Sequence, residues 1–157
     1  STVTPSDRFD LESVATHEVG HLLGLDHSNI LSSTMFPTIL AGISFHRTTG
    51  LDDRIGLSLI YPDMSFLSLG SITGTVRTTA NAAVFGAMVV ALDLNGQAAA
   101  SSVTDPTGLF TIQGLSPGNY TVYAEPMNQP FTVSDVFTLS QTYPGQSVNT
   151  NFTVRYR

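Results

Sequence analysis

Apolar residues follow two different rhythms along this chain, and the change falls near residue 65. In the first part Leu11, Ala15, Val19, Leu22 and Leu23 recur at intervals of three and four, the spacing that lines one face of an α-helix. A helix from about residue 10 to 23 is predicted, with Asp10 as its N-cap and Gly24 as a left-handed C-terminal stop. Its apolar stripe is expected to bury it against a core. A second, shorter helix is predicted from Asp52 to Tyr61: the acidic start complements the helix dipole, Ile55, Leu59 and Ile60 form a stripe, and Pro62 ends it.

From Ser71 onward the apolar runs are short, rich in β-branched residues and separated by turn residues. Strands are predicted near 71–78, 86–94, 98–104, 109–113, 119–125, 131–139 and 147–155. Hairpin turns are expected at Asn95-Gly96, at Asp105-Pro106-Thr107-Gly108 and at Ser116-Pro117-Gly118-Asn119. Seven short strands without a convincing helix point to an all-β sandwich. Phe66 to Gly70 reads as the joint, so two modules are expected, 1–65 and 66–157.

Composition narrows the partners. The 157 residues are 41% hydrophobic, enough for one ordinary globular domain or two small ones. The net charge is −6 and the six Lys and Arg are scattered, so no basic stripe is available to neutralise phosphates, which argues against nucleic acid. No apolar run approaches the roughly 18 residues of a membrane span. With no cysteine, disulfides and thiolate metal sites are excluded, and any metal must be held by His and carboxylate. Polarity comes mostly from Ser, Thr, Asn and Gly, a balance that suits an extracellular or cell-surface protein, as of a secreting bacterium; if the protein is exported, its signal is expected upstream of Ser1. Nothing in the pattern specifies an oligomer.

The chemistry concentrates in THEVGHLLGLDHS, which places three of the four histidines within eleven residues. His17 and His21 lie about 40° apart on a helix, one turn from each other, so both imidazoles point to a common spot. Gly24 allows a sharp turn without a Cβ clash, and His27 can then swing back as a third ligand. Three neutral histidines suit Zn2+ and leave a fourth position for water, whose pKa the ion lowers towards about 7. Glu18, at the edge of the metal-facing side, is the candidate general base.

His17-Glu18-x-x-His21-x-x-Gly24-x-x-His27 resembles the long zinc motif of the metzincin metalloproteases, and Ser28 after it resembles the matrixin branch. The resemblance implies zinc ligation by His17, His21 and His27, with Glu18 activating the zinc-bound water that hydrolyses a peptide bond. It also implies a Met-turn beneath the metal, matched by Ser33-Thr34-Met35-Phe36-Pro37, and a closing helix whose Asp52-Asp53 pair ties it to that turn. Protein or peptide substrates follow. Thr38 to Gly50 would line the pocket for the side chain after the scissile bond, made apolar by Ile39, Leu40, Ile43 and Phe45. His46, outside the motif, reads as a surface or loop histidine.

Matrixins place a sheet of about a hundred residues, with the family's Ca2+ sites, before the zinc helix; here sixteen residues precede His17. The expectation is therefore the C-terminal part of a catalytic domain, with Ca2+ a matter for the full-length protein. The rival reading is a non-catalytic surface adhesion or spacer module with a residual zinc site. Residues 70–126, with Gly74, Gly86, Asp105 to Gly108 and Gly114 to Tyr120 among their markers, resemble the carboxypeptidase regulatory-like domain, a transthyretin-like sandwich. That likeness implies a fold and says little of activity. Asp105 reads as a turn residue, and Phe110, Tyr120 and Tyr123 as core.

Overall fold

The computed structural model describes residues 4–127 together with 143, 145, 146 and 148. The chain opens with helix α1 (Leu11–Leu22), passes through a 3-10 turn (Phe45–Arg47) to helix α2 (Leu51–Ile60), and crosses a second 3-10 turn (Phe66–Ser68). Five strands follow: β1 (Gly70–Thr75), β2 (Met88–Leu92), β3 (Ala98–Val103), β4 (Leu109–Leu115) and β5 (Thr121–Glu125). The strands expected at 131–139 and 147–155 lie outside the described residues.

The strands form two antiparallel sheets, β1–β4 and β3–β2–β5. Asn95-Gly96 closes the β2–β3 hairpin, where Asp93 Oδ1 accepts from the N–H groups of Asn95 and Gln97 at 2.8 and 2.9 Å. The other two predicted hairpins are instead connections between sheets, because among the described residues β3 pairs only with β2 and β5 joins β2's far edge. The turn chemistry is nevertheless as read: Asp105 Oδ1 accepts from Thr107 N, Thr107 Oγ1 and Leu109 N, an Asx-type turn. Local signals mark a reversal of the chain; which strand the reversed chain then meets depends on side-chain packing far away in sequence.

Strand β2 is buried on both faces from Met88 to Ala91, and alternation explains how. Val89 and Ala91 join Ala100, Phe110, Ile112 and Leu115 in the core between the sheets. Met88 and Val90, with Val103 and Ser101 opposite them, form the outer face of the three-stranded sheet. That face is covered by the first part of the chain: Phe36 packs with Met88, Phe85 and Met127, and Ile55 of α2 enters the inter-sheet core cluster. An apolar side chain fully removed from water contributes about 1.5–3 kcal/mol, so the two parts are joined by a packed interface.

Helix α1 buries the opposite side to the one its apolar spacing predicted. Leu11, Val19 and Leu22 are 80, 50 and 83% exposed, whereas Ser13, His17 and Gly20 are buried. Small and polar residues form the inward face because it meets turns rich in backbone carbonyls and carboxylates.

Candidate metal centre

Asp10 caps α1 as predicted, its Oδ2 accepting from the N–H and hydroxyl of Ser13, both at 2.8 Å. The same carboxylate takes a two-point contact from Arg47, at 2.5 and 2.9 Å, and a hydrogen bond from Thr4 Oγ1 at 2.7 Å. The guanidinium, with these donors, holds the Asp10 carboxyl far below the ordinary carboxylate range. Arg47 thereby pins the 3-10 turn to the start of the helix.

At the other end Gly24 adopts φ +95°, the left-handed conformation that favours glycine. Its N–H donates to His21 O at 2.9 Å, and Leu25 N–H reaches Gly20 O at 3.0 Å. Both bonds together are a Schellman motif, which satisfies the last carbonyls and reverses the chain. The reversal brings Leu25 O to His21 Nδ1 at 2.9 Å and returns His27 to the helix.

All three predicted ligands meet. His21 Nε2 lies 3.1 Å from His17 Nε2 and 3.2 Å from His27 Nε2. His17 Nδ1 donates to Thr34 O at 2.8 Å, and a carbonyl can only accept, so both His17 and His21 carry their proton on Nδ1 when neutral. Their Nε2 lone pairs then face each other without a proton to share, an arrangement that suits a cation between them. Tetrahedral zinc with bonds of about 2.0–2.1 Å sets ligand nitrogens about 3.3 Å apart, close to the observed spacing. Such carbonyl partners on the far nitrogen are what orient metal-binding imidazoles. Burial pushes His17 below the ordinary imidazole value of 6.5, with His21 and His27 adding to the depression, which favours the neutral, ligating form.

The floor is built from α2. Asp53, 2% exposed, accepts from Ser33 Oγ, from Thr34 N at 2.8 Å, from Met35 N at 3.1 Å and from Gly50 N at 2.7 Å. Thr34, so held, offers the carbonyl that orients His17, and Met35 O accepts Ser28 N–H at 2.8 Å beside His27. Met35 is itself buried, its sulfur against Gly20 of the helix. Asp52 is partly buried; desolvation raises its pKa, against hydrogen bonds from Ser28 and Ser101. Glu18 is exposed on the helix between the first two histidines and acts electrostatically on His17.

His46 is a correction. It is 1% exposed and donates from Nε2 to Leu31 O at 3.0 Å, a structural histidine under the Met35 turn and apart from the triad. Of the predicted pocket wall, Leu40 and Phe45 are about half exposed at 50 and 49%, while Ile39 and Ile43 are partly buried. Sequence reasoning missed Gly20, the carbonyls of Thr34 and Leu25, and the Asp10–Arg47 pair. A glycine inside a helix, at a cost of about 1 kcal/mol, was the one legible signal.

A helix that presents two converging imidazoles, a glycine reversal that supplies the third, and a methionine turn beneath them together resemble a metzincin type of centre. Comparison agrees: residues 2–62 match the matrixin family and residues 71–155 the carboxypeptidase regulatory-like domain. The chain belongs to the carboxypeptidase regulatory-like domain family over its larger part and is matrixin-like before it. Metalloendoproteinase 4-MMP of Arabidopsis thaliana is 39% identical over 70 residues, 45% of this chain and 20% of that protein. Metalloendoproteinase 1 of Glycine max is 68% identical over 31 residues, 20% of this chain and 10% of its own length. Matrilysin of Rattus norvegicus is 46% identical over 48 residues, 31% and 18% respectively. The chain spans at most a fifth of each of these relatives. Over residues 2–62 the chain is thus similar to metalloendoproteinases, and no helix among the described residues is long and apolar enough to cross a membrane.

Proposed function

We propose that the first part of the chain is the C-terminal portion of a zinc endopeptidase, in which His17, His21 and His27 hold the metal and Glu18 is the general base. The observation that carries this is the convergence of three Nε2 atoms with two of the rings already locked, through Nδ1, in the tautomer a metal needs. Zinc, when bound, supplies Lewis acidity that polarises a scissile carbonyl and lowers the pKa of a coordinated water. Glu18 takes the proton of the attacking water and passes it to the leaving amine. Its exposed position is what such a proton carrier needs, because substrate must reach it. Met35 keeps the underside of the triad dry, and Asp53 holds the turn that carries Met35.

The exposed stripe of Leu11, Val19 and Leu22 supports the finer reading that further catalytic-domain structure covers this face and completes the cleft. On that reading the chain acts outside the cell, residues 66–157 form an accessory sandwich of seven strands, and Ca2+ belongs to the covering part. The 157-residue chain alone is expected to bind zinc and cleave casein or gelatin poorly. In the protease containing it, Glu18→Ala is expected to lower turnover by about 10²–10⁴-fold with zinc content unchanged. Loss of zinc in that variant would remove the general-base assignment. Zinc binding with no turnover in the complete protein would favour the adhesion or spacer module.

A further inference from the structure

Asp52 uses its two oxygens on two different parts of the molecule. Oδ2 accepts from Ser28 Oγ at 2.5 Å, and Oδ1 accepts from the backbone N–H and the hydroxyl of Ser101 at 2.8 and 3.2 Å. Ser28 directly follows His27, and Ser101 lies on β3 of the sandwich, on the outer face beside Val90. Both salt bridges found among the described residues involve Arg47, so Asp52 is held by neutral donors, two of its three coming from the sandwich.

Ser28 is fixed at three points. Its N–H donates to Met35 O at 2.8 Å, its hydroxyl donates to Asp52, and that hydroxyl accepts Ile30 N–H at 3.1 Å. A cavity of about 210 Å³ behind the triad is lined by His27, Met35 and Asp52 on one side and by Met88 and Val103 of the sandwich on the other. The loop carrying the third histidine is therefore not backed by continuous packing there. Across the gap, the tie between that loop and the sandwich runs from Ser28 through Asp52 to Ser101.

We propose that Ser101 is a positioning residue of the metal centre: through Asp52 and Ser28, the β-sandwich fixes the loop that returns His27 to His17 and His21. The proposal rests on the reading of the triad as a zinc site. A ligand held in place before binding spares the ordering cost that a loose one incurs, so the coupling is read as metal affinity. A sandwich that merely adheres to the first module would change stability and leave affinity alone.

The test titrates the complete chain with Co2+, followed by its visible absorption, and with Zn2+ in competition with a chromophoric chelator. Ser101→Ala, which loses the hydroxyl but keeps the N–H, is expected to weaken both ions about threefold to tenfold, and Asp52→Asn about tenfold or more. The double variant is expected to match Asp52→Asn alone, since Ser101 acts through that carboxylate. Ser101→Thr keeps both donors and should bind like the parent, as should Thr111→Ala on the exposed face of β4. Parental affinity in Ser101→Ala, or additive losses in the double variant, overturns the proposal even if unfolding shows lowered stability. Should the parent chain bind neither ion, the zinc reading itself fails and takes this inference with it.

Discussion

The sulfur of Met35 occupies the place where a Cβ on Gly20 would have to sit. The Met35 turn and helix α1 therefore touch side chain to backbone, at the residue just before His21. Gly20→Ala would ordinarily favour a helix by about 1 kcal/mol. Here it is expected to destabilise the metal-free chain by about 1–3 kcal/mol, because Met35 is buried and cannot retreat without displacing the turn. Urea denaturation checks the sign, and a more stable variant would show that the contact is not tight in solution.

Asp53→Ala is expected to be more damaging. It leaves Ser33 Oγ and the N–H groups of Thr34 and Gly50 without their acceptor inside the fold, and Met35 N–H with Ser33 Oγ alone at 3.1 Å. Each unsatisfied buried donor costs about 1–3 kcal/mol, so a loss of about 3 kcal/mol or more is expected in chemical denaturation. Asp53→Asn should rescue only part, since its amide nitrogen meets donors with a donor.

Zinc should stabilise the chain by mass action, by about 2.7 kcal/mol at a hundredfold excess over the dissociation constant. His27→Ala is expected to abolish the zinc-dependent rise in Tm, which thermal melts with and without a chelator would record. The rise should shrink as the pH falls below the ordinary imidazole value of 6.5, because protons compete for the ligating nitrogens. A rise that is insensitive to His27 would place the metal elsewhere.

Acid unfolding should contain a contribution from Asp10. Its folded-state pKa is depressed, chiefly by Arg47, so the folded chain binds fewer protons than the unfolded chain as the pH drops through the ordinary value of 3.8. The stability from this carboxylate is present above that value and lost below it. Melts between about pH 2 and 5 are expected to fall less steeply for Asp10→Asn, although that variant, which can still cap the helix, starts lower for want of the charge that pairs with Arg47. Equal slopes would assign the acid limb to other groups.

Much of the architecture was legible because it depends on neighbours in the chain. The caps of α1, the reversal at Gly24, the start of α2 and the Asp105 turn are set by contacts only a few residues apart. The spacing of His17 and His21 on one helix face is likewise a property of 3.6 residues per turn. By itself the sequence thus determined the helices, the five described strands, and which side chains could meet a metal. Only the tertiary structure decided which face of α1 is buried, that β3 and β4 part into different sheets, that His46 is enclosed, and that Asp52 reaches Ser101. Those outcomes depend on residues brought together from distant parts of the chain, and on backbone carbonyls such as those of Thr34 and Leu25. Every residue has such a carbonyl, so residue type cannot reveal which ones will orient an imidazole.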